Sequence, residues 1–131
     1  MSTTIRPQSH DTRPEWQCFE LTIDNQIAHL KLNRPEKRNS MVRAFWEELP
    51  RAIRDIDDNS RARVIVISST GPHFTSGIDV GMFAQTDKPN PAARRSERIT
   101  HGASFYDTVK AMQDTFSALE EARVPILAAI Q

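Results

Sequence analysis

The segment GPHFTSGIDV, residues 71–80, combines glycines, hydroxyl side chains and a carboxylate directly after a β-branched run. In open α/β sheets, ligands bind beyond the carboxyl ends of the strands, so this place in the chain favours a binding role. Gly77 lets a ligand approach the backbone without a side chain in the way, and N–H groups at a helix start are unpaired. The N–H of Ile78 is therefore a candidate donor to a substrate oxygen. We expect it to point into a cavity and to lack an acceptor in the chain.

The same segment also fits an ordinary strand-to-helix turn in which Asp79 caps the following helix, and capping is the favoured role of Asp79 over that of a catalytic acid. Thr75 and Ser76 are interpreted as loop formers, because no base lies next to them in sequence. Cys18 is interpreted as a packing residue. The four histidines lack metal-ligand spacing and there is one cysteine, so the sequence predicts no metal site and no intrachain disulfide. Motifs for dinucleotide binding, P-loops, serine hydrolases and zinc proteases do not occur in it.

Length and charge exclude several classes of protein. The chain has 131 residues, enough for one domain or part of one, with 17 basic and 17 acidic residues. A net charge of zero argues against a nucleic-acid binder and a polybasic membrane module. No apolar run reaches the ~18 residues of a membrane span, and residues 1–14 lack the apolar core of a secretory signal. We predict a flexible tail over 1–17, a domain over 18–131, and a cytoplasmic location (mitochondrial or peroxisomal in a eukaryote).

Hydrophobic periodicity predicts the elements of the first half of the chain. Alternating runs at 18–24 and 27–32 around a polar turn predict a β-hairpin, whose second strand has Ala28, Leu30 and Leu32 on one side. An apolar stripe from residue 41 to 56 predicts a helix with Asn39 or Ser40 as its N-cap. Pro50 lies inside this stripe and predicts a kink or a break, since it removes a helical N–H.

The second half continues the alternation of strands and helices. Residues 63–68 (RVIVIS) predict a strand buried on both faces, and 124–130 (VPILAAI) a second buried strand. Between them, apolar residues from Phe105 to Leu119 at spacings of four and three predict a long amphipathic helix. This order of elements implies an α/β fold with a partly parallel sheet.

Two motifs at this separation resemble those of the crotonase superfamily, also called the enoyl-CoA hydratase/isomerase family. The first is NRPEKRN from Asn33, the second is FTSGID from Phe74, and the likeness extends from about residue 19 to 131. It implies a crotonase-like spiral of ββα units, of which this chain resembles the N-terminal portion, cut before a glycine-rich stretch. The second motif, the Phe45–Trp46 pair and the long segment after Asp79 look most like the dienoyl-CoA isomerase branch.

The resemblance implies an acyl-CoA isomerase that shifts double bonds of a dienoyl-CoA in fatty-acid β-oxidation. Crotonases hold a thioester enolate with two backbone N–H groups, and the first of them maps to Ile78. The family places the second donor and the acid/base carboxylates later, so we expect the 131-residue chain by itself to be inactive. The stretches that contact CoA in the family map to Lys37, Arg38, Asn39 and Ser40, and to Ser76, Gly77, Ile78, Asp79 and Val80.

Lys37 and Arg38 fit two roles, contact with CoA phosphates by charge and a solvated basic loop. The implied partners are an acyl-CoA thioester and further copies of the chain, in a trimer or a dimer of trimers, with no nucleic acid and no membrane. No separate cofactor is implied, because coenzyme A is part of the substrate. Two alternatives stay open: an enoyl-CoA hydratase, and a non-catalytic acyl-CoA-binding or oligomer-forming remnant.

Overall fold

A computed structural model describes residues 16–84, 92 and 95–131. Its elements in chain order are β1 (Phe19–Asp24), β2 (Ile27–Leu32), a 3₁₀ turn (Pro35–Lys37), α1 (Arg43–Asp58), β3 (Val64–Ser69), α2 (Gly81–Ala84), α3 (Arg95–Glu121) and β4 (Ile126–Ala128). Of the tail predicted over 1–17, residues 1–15 lie outside this description. Trp16 and Gln17 contact the body: Trp16 stacks on Phe19 at 5.2 Å between ring centroids, and the Gln17 N–H bonds to Glu48 on α1.

The four strands form one sheet in the order β1-β2-β3-β4. β1 and β2 are antiparallel, whereas β2–β3 and β3–β4 are parallel. This confirms the predicted hairpin and the partly parallel α/β arrangement. Asn25 and Gln26 at the hairpin turn have φ of 47° and 64°. Two left-handed residues in a two-residue loop match the twist of the strands that they join.

The core lies between one face of the sheet and α1. Ala28, Leu30 and Ile65 are fully buried on the sheet side. Four of the predicted stripe residues, Phe45, Leu49, Ile53 and Ile56, are buried on the helix side. The alternation of strand residues and the helical spacing therefore meet at one apolar interface, as the sequence patterns predict.

The opposite face of the sheet is more open than the sequence suggests. Along β3 the buried residues Ile65 and Ile67 alternate with half-buried ones, so the prediction of a strand buried on both faces is wrong. β4 lies at the sheet edge and is not buried either, since Leu127 is 58% exposed. Apolar composition alone does not distinguish a central strand from an edge strand, because the difference depends on neighbours distant in sequence.

Pro50 does not break α1, which runs unbroken from Arg43 to Asp58. The N–H that proline lacks would have bonded to the carbonyl of Trp46. In the structure that carbonyl accepts a hydrogen bond from the Thr115 hydroxyl of α3, with 3.0 Å between the oxygens. Thr115 is 1% exposed. The prediction of a break is therefore wrong, because a buried side chain 69 residues away replaces the missing donor.

α3 packs on α1 along a face that overlaps the predicted stripe. Leu119 of the stripe packs against the core, and Val109 and Met112 are half-buried. Thr115 and Ala118 beside them are buried, whereas Phe105 and Phe116 are about half exposed. Phe116 meets the Trp46 ring edge-on at 5.4 Å between centroids. In the described part of the chain, no helix has the length and apolar content that a membrane crossing needs.

Candidate functional site

Two loops lie side by side at the carboxyl ends of β2 and β3. These are the β2–α1 loop, residues 33–42, and the β3–α2 loop, residues 70–80. Because the two strands are parallel neighbours, with Leu32 paired to Ser69, their loops leave from one edge of the sheet. The loops touch at Gly71, which has φ of +75°; a Cβ there would lie 2.8 Å from the Cβ of Pro35. The two sequence motifs are thus brought together.

Asn39 joins the two loops from a buried position. It is 4% exposed; its Oδ1 accepts the Arg34 N–H at 2.8 Å, and its Nδ2 donates to the carbonyls of Thr70 at 2.9 Å and His73 at 3.0 Å. Both amide hydrogens are used, so this side chain has no free donor for a ligand. The prediction that Asn39 or Ser40 caps α1 is wrong. The N-cap is Val42, without a side-chain hydrogen bond, because both polar side chains bond across the loops.

Ser40 and Asp79 form the second link between the loops. The Ser40 hydroxyl donates to the Asp79 carboxylate at 2.8 Å, and the other carboxylate oxygen accepts the Gly81 N–H at 2.8 Å. These two hydrogen bonds, the Ser40 one foremost, lower the pKa of Asp79. Nearby Arg34 and Lys37 act in the same direction, while desolvation opposes them. Asp79 is thus an ionised carboxylate that caps α2, which confirms its predicted capping role and removes a proton-donor role at neutral pH.

Ile78 lies in an isolated parallel β-bridge with Met41. The Met41 N–H donates to the Gly77 carbonyl at 2.8 Å, and the Asp79 N–H donates to the Met41 carbonyl at 3.0 Å. The Gly77 carbonyl and the Ile78 N–H belong to one planar trans peptide, so they point in opposite directions. The Ile78 N–H is directed away from Met41 and has no acceptor among the described residues. The lack of an acceptor is therefore confirmed for the described residues, whereas the cavity stays a prediction.

The remaining candidate side chains are exposed. Val80 is 84% and Ile78 41% exposed, and Ser76 is exposed with its N–H bonded to the Arg38 carbonyl at 3.0 Å. Lys37 and Arg38 are exposed as well, and their side chains form no ion pair within the described part of the chain. Within the residues that the structure describes, the site therefore presents an N–H without an acceptor, an open backbone and two cations without an ion-pair partner.

Cys18 lies outside this surface. It is 5% exposed, in the core at the start of β1. Burial, reinforced by the Glu48 carboxylate, raises the pKa of its thiol, against a smaller opposite effect of Arg34. A raised pKa keeps the thiol protonated and unreactive, which fits the predicted packing role. Among the described residues, no cluster of three or more His, Cys, Asp or Glu side chains is placed to bind a metal ion.

Sequence reasoning missed Arg34 and interpreted Thr75 only as a loop former, although both shape the site. The Arg34 guanidinium donates to the Ser40 carbonyl at 2.9 Å. The Thr75 hydroxyl donates to the Asn39 carbonyl at 2.7 Å and accepts the Gly77 N–H at 3.1 Å. Arg34 lies in the first motif and Thr75 in the second, and this position was the signal in the sequence that could have pointed to them. The Arg34 bond reaches a backbone carbonyl six residues away within its own loop, and the Thr75 bond to Asn39 reaches the neighbouring loop. A motif read along the chain shows neither bond.

Comparison with known proteins gives one family. The family model for enoyl-CoA hydratase/isomerase matches residues 22–131. The mitochondrial Δ(3,5)-Δ(2,4)-dienoyl-CoA isomerase of Mus musculus is 40% identical over 118 residues, covering 88% of this chain and 35% of the relative. The peroxisomal protein of that name from Arabidopsis thaliana is 34% identical, covering 87% of this chain and 40% of the relative. The chain thus spans between a third and a half of the length of these relatives.

Solved structures agree with this assignment. An enoyl-CoA hydratase from Shewanella pealeana has a TM-score of 0.70 at 14% identity, with 89% of this chain and 40% of that chain covered; at this identity the likeness concerns the fold alone. A crystal structure from Thermobifida fusca YX, solved in complex with CoA, has a TM-score of 0.67 at 32% identity, with 87% of this chain and 41% of that chain covered. The fold is therefore that of the crotonases, as predicted.

Proposed function

Because the chain belongs to the enoyl-CoA hydratase/isomerase family, we propose that it provides the oxyanion-stabilising part of an acyl-CoA isomerase acting on dienoyl-CoA thioesters. The relatives named as dienoyl-CoA isomerases support this substrate class. The proposed reaction removes a proton from the acyl chain and returns it elsewhere, which moves the double bonds. No cofactor takes part, since coenzyme A is a portion of the substrate.

The Ile78 N–H is the observation that carries the proposal. Proton removal next to a thioester places negative charge on the thioester oxygen, and a fixed N–H lowers the energy of that enolate. One such donor contributes on the order of 10²–10³ in rate. The Ile78 N–H is unpaired among the described residues, while Gly77 and Asp79 on either side of it are tied to Met41. A donor held in place this way needs no reorganisation when the charge develops.

The exposed Lys37 and Arg38 give the proposal a test that requires no catalysis. Isothermal titration with acetyl-CoA should show weaker binding to Lys37→Glu/Arg38→Glu than to the wild type, because phosphate groups lose two cations and face two anions. Lys31→Glu/Arg63→Glu, which reverses two exposed charges elsewhere, is the matched control and should bind like the wild type. Equal affinity in all three proteins would exclude the contact between this loop and the CoA phosphates.

An assay with 3,5-dienoyl-CoA tests the reaction. Isomerisation produces a conjugated 2,4-dienoyl-CoA, whose rising absorbance measures turnover. We expect the 131-residue chain by itself to be inert, because the second donor and the proton-transfer carboxylates map to later family positions. Turnover by this chain at the rate of a full-length isomerase would overturn that placement, and Asp79 or Asp107 would then be the carboxylates to mutate first.

Hydration is the second candidate activity, because the matching family includes enoyl-CoA hydratases as well as isomerases. A hydratase stabilises the same enolate and adds water to a 2-enoyl-CoA, so the Ile78 N–H would serve both reactions. A hydratase would reduce the absorbance of a 2-enoyl-CoA substrate. That loss, together with no gain in 2,4-dienoyl absorbance from a 3,5-dienoyl-CoA substrate, would favour hydration. In a protein that also contains the later family positions, acetyl-CoA binding without either reaction would favour the non-catalytic acyl-CoA-binding role. A trimeric assembly, or a dimer of trimers, stays a prediction that sedimentation of the active protein tests.

A further inference from the structure

We propose that Thr75 is a positioning residue that sets the direction of the Ile78 N–H, an inference that rests on the proposed role of this N–H as an oxyanion donor. Thr75 does not need to touch the substrate for this role. Its hydroxyl connects the β2–α1 loop to the peptide that precedes the donor.

The hydroxyl of Thr75 makes two bonds in opposite senses. It donates to the Asn39 carbonyl at 2.7 Å and accepts the Gly77 N–H at 3.1 Å. Asn39 is itself buried and bonded to Arg34, Thr70 and His73. Thr75 therefore links the backbone at Gly77 to Asn39, a buried residue that hydrogen bonds hold in place.

Gly77 needs this support because packing does not hold it. Its φ is +89°, and a Cβ built on it would meet no heavy atom within 4 Å. A glycine in open space has wide rotational freedom. Hydrogen bonds therefore fix its conformation: Thr75 holds its N–H and Met41 holds its carbonyl. The Ile78 N–H shares a peptide plane with that carbonyl, so its direction depends on both bonds.

Two substitutions of Thr75 separate the role of its hydroxyl from that of its shape. Thr75→Val keeps the shape and removes both hydrogen bonds, while Thr75→Ser keeps the hydroxyl. Thr115→Val controls for general loss of stability, because it removes a buried hydroxyl at the α1–α3 contact, outside the two loops. A merely structural role for Thr75 would make Thr75→Val and Thr115→Val behave alike.

A comparison of acetyl-CoA with free CoA isolates the contribution of the Ile78 N–H to binding. Acetyl-CoA carries the thioester carbonyl and free CoA does not, so the ratio of their Kd values measures the carbonyl contact. We expect Thr75→Val to reduce the acetyl-CoA preference by about two- to tenfold, the equivalent of one hydrogen bond. Thr75→Ser and Thr115→Val should keep the wild-type ratio. An unchanged ratio in Thr75→Val would overturn the proposal.

Amide NMR without ligand separates this proposal from the proposed function. In Thr75→Val the Gly77 and Ile78 amide resonances should shift and the Gly77 N–H should exchange faster, whereas in Thr115→Val both should stay as in the wild type. If wild type bound neither ligand, the oxyanion function would fail while these amide measurements still decided whether Thr75 holds the peptide. Identical Gly77 and Ile78 amides in Thr75→Val and wild type would refute the positioning role.

Discussion

At residues 71 and 77 the backbone enters the left-handed region, but the two glycines are required for different reasons. At Gly77 an added Cβ meets nothing, so Gly77→Ala should cost only the backbone strain, about 1–2 kcal/mol. At Gly71 the same strain is joined by a 2.8 Å approach to Pro35. Gly71→Ala should therefore lower the free energy of unfolding more than Gly77→Ala, as measured by urea denaturation. The reverse order would show that the loops do not pack as described.

The hydrogen bond between the Ser40 hydroxyl and the Asp79 carboxylate predicts how the free energy of unfolding depends on pH. The pKa of Asp79 is lowered by folding, so its contribution to stability is present above the unfolded-state pKa, which is about 3.9 for aspartate. It is lost as the pH falls through the lower folded-state pKa. The stability difference between wild type and Asp79→Asn should therefore be constant at neutral pH and shrink below about pH 4.

Ser40→Ala is the control for this hydrogen bond, because it removes the main cause of the lowered pKa of Asp79 and leaves the carboxylate in place. In the Ser40→Ala background, Asp79→Asn should show a smaller pH-dependent difference than in the wild type. Chemical denaturation at a series of pH values measures both differences. A difference that does not change with pH would mean that the two side chains are not coupled.

At the scale of elements, the contact between α1 and α3 depends on a donor that α1 lacks. Thr115→Val removes the hydroxyl that bonds the Trp46 carbonyl and should cost about 1–3 kcal/mol, because a partly buried acceptor loses its partner. In a Pro50→Ala background the same substitution should cost less, since alanine restores a helical N–H to that carbonyl. Thr115→Ser keeps the hydroxyl and is the control.

The double-mutant cycle formed by these variants measures the coupling directly. Urea unfolding of wild type, the two single variants and the double variant gives the four free energies needed. Equal costs of Thr115→Val in the proline and alanine backgrounds would show that Thr115 does not compensate for Pro50.

For the whole molecule, the open edge of the sheet predicts self-association. β4 is the last strand in the sheet order, and Leu127 and Ile130 beside its open edge are 58% and 73% exposed. Unpaired apolar edges pair with other chains. The 131-residue chain should associate as its concentration rises, and Leu127→Lys should suppress this. Sedimentation velocity measures both effects, with Ile99→Lys on the exposed side of α3 as control. Suppression by Ile99→Lys alone would place the contact on α3 instead.

The sequence by itself determined the features that arise within short stretches of chain. The hairpin follows from alternation around a two-residue turn, and the buried stripe of α1 from helical spacing. The capping role of Asp79 was also predicted correctly, since its bond to the Gly81 N–H spans two residues. The pair of motifs indicated the family and brought attention to Ile78, because a glycine that frees the backbone is visible in a sequence.

Tertiary structure decided every feature whose hydrogen-bond partner or packing neighbour is distant along the chain. Asn39 bonds to carbonyls 31 and 34 residues away, so it joins two loops instead of capping α1. Thr115 supplies the donor that allows Pro50 inside a continuous helix. Leu127 is exposed despite its apolar run, because it pairs with Val66 on the face of the sheet that points away from α1. The physical reason is common to all three: buried polar groups must find partners and strands must find neighbours wherever the fold places them. Periodicity and local motifs contain no information about that placement.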